Sequence, residues 1–451
     1  MRRFLTRRRL AVAAVALLAL AALLPAVYVL ADYWQSRRTL ATLFDELDRD
    51  DPDWRIDDIV RVTNAKLPPD DRNPFVVAMA ANELLPADTN RRLNDFPDWS
   101  KADPNVLLDA AVKAKLLAAL RGMEPAVDAA RDLADLHELG GNVIVMPANP
   151  ITRLLKQEQE VRQTATLLRA DATLLAEEGK TDEAVRSVRA TLGTARALGD
   201  DPTLIGQLVR IASGAVAARA AESVLNLGEP DRGLTELQAE FSKEAAAPKL
   251  IVGLRGERGG AVQISEVVGP RLFAQTDLAC LLDVLTRYIA AAKLPPERQA
   301  AALAAIPKPH VEDPRFELTK LMLPAVEKVA ASARRGQGEL AAVAAGIACE
   351  RYRRKFGHWP ASLADIPKDI LPAVPVDVCD GLPIKYKRFA DRVVVYSVGP
   401  DGIDHGGDLR AATPQAQRDW GIRLFDVPHR RQPAPPAADP EPEPPAPGDA
   451  P

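Results

Sequence analysis

The chain has 451 residues, 47% of them hydrophobic, so it carries ample material for a core and for two or three domains. Its 58 basic and 62 acidic residues leave a net charge of -4, and no Lys/Arg-rich face with interleaved aromatics appears beyond the extreme N-terminus, which argues against a nucleic-acid binder. Aromatics are scarce at 5%, and the bias toward Ala and Leu favours a mainly α fold.

Residues 1–9 hold five arginines and are expected to be a basic cytoplasmic segment. An uncharged run follows from Leu10 to Ala31. At about 1.5 Å per residue it spans roughly 33 Å, enough to cross a hydrocarbon core of about 30 Å, so residues 10–31 read as a transmembrane anchor. Only Arg37 and Arg38 follow closely, and the positive-inside rule then puts the N-terminus in the cytoplasm and the bulk outside, in the periplasm or cell envelope. The alternative is a cleaved signal peptide, because Val29-Leu30-Ala31 is a tolerable cleavage site and Thr6-Arg7-Arg8-Arg9-Leu10 has twin-arginine character.

Residues 32–310 read as a helical ectodomain. Leu40, Leu43, Phe44 and Leu47 continue the first helix until Asp50 to Trp54 breaks it, and Asp57 to Thr63 is a short helix. Breaks are expected at Pro86, Pro97, Pro104, Gly140-Gly141 and Pro147 to Pro150. Thr152 to Glu178 carries a leucine stripe, and Gly179 to Glu183 is a turn whose Thr181 or Asp182 is expected to cap the next helix, Glu183 to Leu198. This hairpin resembles one unit of a tetratricopeptide-type repeat, although no fixed period recurs. Leu204 to Leu227 and Asp277 to Ala292 are further helices. Leu254 to Gly260 is Gly-rich but lacks the lysine and hydroxyl of a phosphate-binding loop, so a connector or helix end is expected there.

Residues 311–428 are expected to form a spine helix and a small α+β unit. Phe316 to Phe356 reads as a helix interrupted at Pro324, Gly336 and Gly338, with Val343, Ile347, Tyr352 and Phe356 on one face. Gly357 and Pro360 end it, and Trp359 and Leu363 are expected to fold back on it. Leu382 to Phe389 and Arg392 to Val398 form an antiparallel hairpin turning at Ala390-Asp391. Residues 429–451 are a Pro-rich segment expected to be disordered. The three cysteines, Cys280, Cys349 and Cys379, have no close pair, so buried thiols are expected, with a Cys349–Cys379 disulfide as the alternative.

The second strand runs into Gly399-Pro400-Asp401-Gly402-Ile403-Asp404-His405-Gly406-Gly407-Asp408. Glycines there permit positive φ, and Asp401, Asp404 and Asp408 would repel one another unless solvated or bridged by a cation.

The order Tyr352, Gly357-His358-Trp359-Pro360, Leu363, Leu371-Pro372, Asp377, Asp380-Gly381-Leu382-Pro383-Ile384-Lys385-Tyr386 and Tyr396-Ser397-Val398-Gly399-Pro400-Asp401-Gly402 resembles the C-terminal domain of the major pseudopilins of type II secretion systems. The resemblance implies a sheet packed on a spine helix and a structural calcium ion bound by the Asp401 side chain and the carbonyls of Val398 and Ile403. Spacing adds Asp404 and Asp408, since hard cations take six to eight oxygens. Pseudopilins lack the long helical domain that intervenes here. The whole layout is similar to a family of envelope-anchored proteins of planctomycete bacteria that carries no activity to transfer. The sequence thus points to a non-enzymatic, single-pass envelope protein with protein partners in the envelope, linked by the resemblance to type II secretion. The alternative is a metal-dependent envelope hydrolase built on Asp401, Asp404, His405 and Asp408. The sequence leaves the oligomeric state open.

Overall fold

The computed structural model describes residues 2–94, 103–145, 156–268, 273–309, 313–409 and 418–434. Within them the chain is mainly helical, with one small antiparallel sheet near the C-terminus. The breaks expected at Pro97 and Pro147 to Pro150 lie outside the described residues, as do the first positions of the helix expected from Thr152.

Helix α1 (Arg2–Asp50) runs unbroken from the apolar segment into the body. It is long and apolar enough to cross a membrane: its most apolar 18-residue window has a mean hydropathy of 2.5 and none of that window is buried. Leu17 and Leu18 are 72% and 70% exposed, an arrangement water alone would not favour. Past Asp32 the same helix turns amphipathic and buries Leu40 and Leu47 among Leu281, Leu285 and Val326. Ser36 and Thr276 share a hydroxyl hydrogen bond of 2.8 Å. Where α1 ends, the Trp54 indole donates to Asp48 at 2.8 Å and is itself buried, closing the break.

Helices α2 (Ile56–Ala65), α3 (Pro74–Glu83), α4 (Thr89–Asn94), α5 (Ala110–Leu120) and α6 (Glu124–Arg131) wrap one side of the body. The middle is built from α7 (Lys156–Glu177), α8 (Thr181–Leu198) and α9 (Leu204–Leu227), packed on one another. Helix α9 also has the length and composition of a membrane span, yet 67% of its most apolar 18-residue window is buried, so it is a core helix. The cap expected at the start of α8 is not made: Lys180 occupies that position without a side-chain cap. Asp182 is used elsewhere, accepting from the backbone N–H groups of Asp231 and Arg232 at 2.7 and 3.1 Å, which ties down the turn that precedes α10 (Leu234–Ala246).

The Gly-rich stretch expected as a connector is instead the middle of α11 (Lys249–Val268). Its glycines serve close approach rather than flexibility. A Cβ on Gly256 would lie 1.6 Å from the Pro202 carbonyl oxygen, and one on Gly259 would lie 2.7 Å from that of Trp54. Helices α12 (Ala274–Ala292) and α13 (Pro296–Ala304) complete the layer against α1.

Helix α14 (Glu317–Phe356) is continuous for 40 residues, so the interruptions expected at Pro324, Gly336 and Gly338 do not occur. Neighbours press on it from both sides: a Cβ at Gly336 would meet Ile211 at 3.0 Å, and one at Gly338 would meet Ser397 Oγ at 3.1 Å. Gly357 ends it at φ 81°, and Trp359 and Leu363 fold back into the core. The sheet has the order β1 (Lys385–Arg388), β2 (Arg392–Ser397), β3 (Trp420–Phe425), all antiparallel. Lys385 lies opposite Tyr396, and Arg392 opposite Phe425.

Val393 and Val395 of β2 and Ile422 and Leu424 of β3 join Val343 and Ile347 of α14 and Leu225 of α9 in the largest hydrophobic cluster. That core crosses the boundary placed at residue 310 by sequence. The segment after β3 is also held. Arg430 is buried and pairs with Glu350 at 2.9 Å, while Arg431 donates to the terminal carbonyls of α7 and α9, Ala176 at 2.7 Å and Leu227 at 2.8 Å. The Pro-rich tail therefore does not begin at residue 429, and its stretch from 435 to 451 lies outside the described residues.

Candidate functional site

Strand β2 delivers the chain into the 398–408 loop, and a buried carboxylate fastens the junction. Asp377, fully buried, accepts from Ser397 Oγ at 2.7 Å, from the Val398 N–H at 2.8 Å and from the Cys379 N–H at 2.9 Å. The loop then folds back through four glycines with positive φ, Gly399, Gly402, Gly406 and Gly407, at 67° to 80°. A Cβ on Gly407 would sit 3.2 Å from both Val394 and Tyr396, so the loop lies on the outer face of the sheet.

The three loop carboxylates do not converge. Asp401 accepts from the Ile403 N–H at 3.1 Å. Asp404 accepts from the Tyr396 hydroxyl at 2.9 Å and from the Gly406 N–H at 2.7 Å. Asp408 pairs with the Arg418 guanidinium. The Val398 side chain is buried, whereas that of Ile403 is exposed. Among the described residues, no group of three or more His, Cys, Asp or Glu side chains is placed to hold a metal ion. Calcium needs six to eight oxygens around one point, and with Asp408 held by a cation and Asp404 by a phenol the residues in this arrangement do not assemble that set.

A different contact centres on Asp419, just before β3. Its carboxylate is buried and accepts from the N–H groups of Gly407 at 2.7 Å and His405 at 3.3 Å. Burial pushes its carboxyl above the usual carboxylate range, against the pull of those two donors. The His405 ring lies between Asp419, 3.6 Å from Nδ1, and Asp401, 3.7 Å from Nε2. Of the four residues of the hydrolase alternative, only Asp401 and His405 thus come together. The knot holds the loop to the sheet.

Sequence reasoning missed Asp377, Asp419 and Arg418 as members of this site. Asp377 was visible only as part of the pseudopilin-like pattern, and Asp419 and Arg418 adjoin a strand that the sequence did not announce. The cysteines are free; burial raises the thiol of Cys280, lifts that of Cys379 to about 11 and raises that of Cys349 further. Comparisons with family models, with curated proteins and with solved structures returned no match.

Proposed function

We propose that the chain is a single-pass, N-terminally anchored protein of the cell envelope that works by assembly or binding rather than by catalysis. The observation that carries this reading is α1: one helix whose first part exposes leucines and valines while its second part is built into the core of the body. A helix continuous across that change couples the anchor rigidly to the domain behind it. The five arginines before it, against only Arg37 and Arg38 close behind it, favour a cytoplasmic N-terminus. The resemblance to pseudopilins makes type II secretion machinery the partner class to examine. Calcium enters this reading as a stabiliser of the C-terminal unit, and its binding requires Asp408 to leave Arg418 and Asp404 to leave the Tyr396 hydroxyl.

The test is alkaline extraction and protease protection of the full-length chain in its native membranes, followed by cross-linking and identification of captured envelope proteins. Retention in the membrane, a protease-accessible body on the extracytoplasmic face and reproducible envelope partners are expected. A chain that washes off, begins after Ala31 when its N-terminus is sequenced, or hydrolyses generic esters in an Asp401-dependent manner would sink the reading.

A further inference from the structure

A second feature lies far from the loop, where the segment 137–139, the C-terminal part of α8, the start of α9 and α10 line an open cavity of about 530 Å³. Its walls are mainly apolar, from Leu139, Ala239 and Pro248, and its floor carries Arg196, Arg210, Glu240 and Glu244. These belong to two cation–carboxylate–cation triads. Glu240 sits between Arg189 at 2.8 Å and Arg196 at 3.6 Å, and Glu244 sits between Arg210 at 2.9 Å and Lys249 at 3.1 Å. All six side chains are at most 13% exposed.

Four buried cations therefore face two buried carboxylates. Buried charge is costly unless paired. The half-exposed Asp200, 3.6 Å from Arg210, offsets one of the two surplus charges. The Arg210 fork is spent on Glu244 and on the Gly199 carbonyl, whereas Arg196 uses Nε and Nη2 on the carbonyls of Leu136 and Leu133 and turns only Nη1 toward Glu240. Glu240 Oε2 is buried and has no hydrogen-bond partner among the described residues. The floor thus holds one guanidinium donor and one carboxylate acceptor that face each other at 3.6 Å, among lining charges that balance, Arg196, Arg210 and Lys243 against Glu236, Glu240 and Glu244, beneath apolar walls of a volume suited to a small ligand.

We propose that this cavity binds a small amphipathic acid carrying a hydrogen-bond donor next to its carboxylate, such as a 2-amino acid with an apolar side chain. The ligand parts the 3.6 Å Arg196–Glu240 contact: its carboxylate lies on Arg196, the neighbouring donor on Glu240 Oε2, and the apolar side chain along Leu139, Ala239 and Pro248. The site is independent of the membrane reading and of the 398–408 loop.

The test is calorimetric and thermal-shift titration of the detergent-solubilised full-length chain with three probes: L-leucine, L-leucinamide, which lacks the carboxylate, and 4-methylpentanoate, which lacks the amine. L-phenylalanine is run in parallel to sample a larger side chain. At least one of the two amino acids should bind saturably, raising the melting temperature by on the order of 2 °C at ten times its Kd. For leucine, each truncated probe should bind at least about tenfold more weakly, because each leaves one floor group unmatched. Ala239→Trp, at an exposed wall position, should abolish binding with an unchanged far-UV spectrum. Glu240→Gln should remove the preference for leucine over 4-methylpentanoate. Absence of binding by both amino acids, equal binding of leucinamide, or undiminished binding to the Ala239→Trp variant would overturn the assignment.

Discussion

Replacing Asp377 with Ala is expected to be the most damaging single change around the loop. The variant removes the acceptor for three donors at once, the Val398 and Cys379 N–H groups and the Ser397 hydroxyl, at 2.8, 2.9 and 2.7 Å. Val398, Ser397 and Asp377 are all buried, so water does not reach the Val398 N–H, whereas the Cys379 N–H is only part-buried. A buried donor left unsatisfied costs about 1–3 kcal/mol. The hydroxyl can rotate toward another acceptor more readily than a backbone N–H, which brings the expected loss to about 3–5 kcal/mol. Asp401→Ala, by contrast, breaks one 3.1 Å bond in an exposed loop and should cost no more than about 0.5–1 kcal/mol. Urea unfolding of both variants, with hydrogen exchange at Val398 as the local readout, separates the two. If Asp377→Ala falls within about 1 kcal/mol of wild type, or no further than Asp401→Ala, the assignment of Asp377 as the fastening of the loop is wrong.

Two glycines in α11 make an internal comparison: Gly256→Ala drives a Cβ into the Pro202 carbonyl and should cost more than about 2 kcal/mol, whereas Gly260→Ala meets nothing within 4 Å and should be neutral or stabilising by up to about 1 kcal/mol in thermal melts. With its thiol at about 11, Cys379 has only about a thousandth of its population as thiolate at pH 8, so Ellman's reagent should label the native chain slowly and the urea-unfolded chain at once; fast native labelling at Cys379 would contradict the packing. The Arg315 guanidinium holds the Asp313 carboxyl down to about 2 from an ordinary 3.8. Because the folded value lies below the unfolded one, stability from this pair is fully present above the unfolded value and is lost as pH falls toward 2. The melting-temperature gap between wild type and Arg315→Gln should therefore hold from neutral pH to about 5 and narrow below about 4, and a gap constant down to pH 2 would show that the pair does not act through this titration.

Much of the fold was legible because local pattern and tertiary packing agree. Leu204 to Leu227 is a helix with those bounds, Gly357 ends the spine, and the hairpin turns at Ala390-Asp391 with Phe389 N–H donating to the Arg392 carbonyl. The misreadings occur where a local signal has a nonlocal cause. Glycines that look like breaks in α11 and α14 are there because Pro202, Trp54 and Ser397 come close to the helix surface. Strand β3 carries Gly421 and Arg423, both unpromising in a strand, yet Arg423 is satisfied by Glu222 at 2.9 Å from another element.

The candidate site was less legible for the same reason. Spacing alone suggests that Asp401, Asp404 and Asp408 share an ion, and nothing nearby in sequence reveals that Arg418 and Tyr396 engage two of them first. The charged floor of the cavity is invisible to any motif, since Glu240 and Glu244 meet arginines 30 or more positions away in the chain.

The packing around α14 also limits how the chain can assemble. Its buried face toward α9 and α10 and its face toward the sheet belong to one hydrophobic cluster, so the C-terminal unit has no core of its own to carry away. The open side of β3 is occupied, because Asn226 of α9 accepts from the Phe425 N–H and donates to the Arg423 carbonyl, both at 2.7 Å, much as a neighbouring strand would. The other edge, β1, carries Lys385, Lys387 and Arg388, charges that discourage strand addition. With one sheet edge covered and the other charged, and the spine enclosed on two sides, docking by strand pairing or by a free spine is disfavoured.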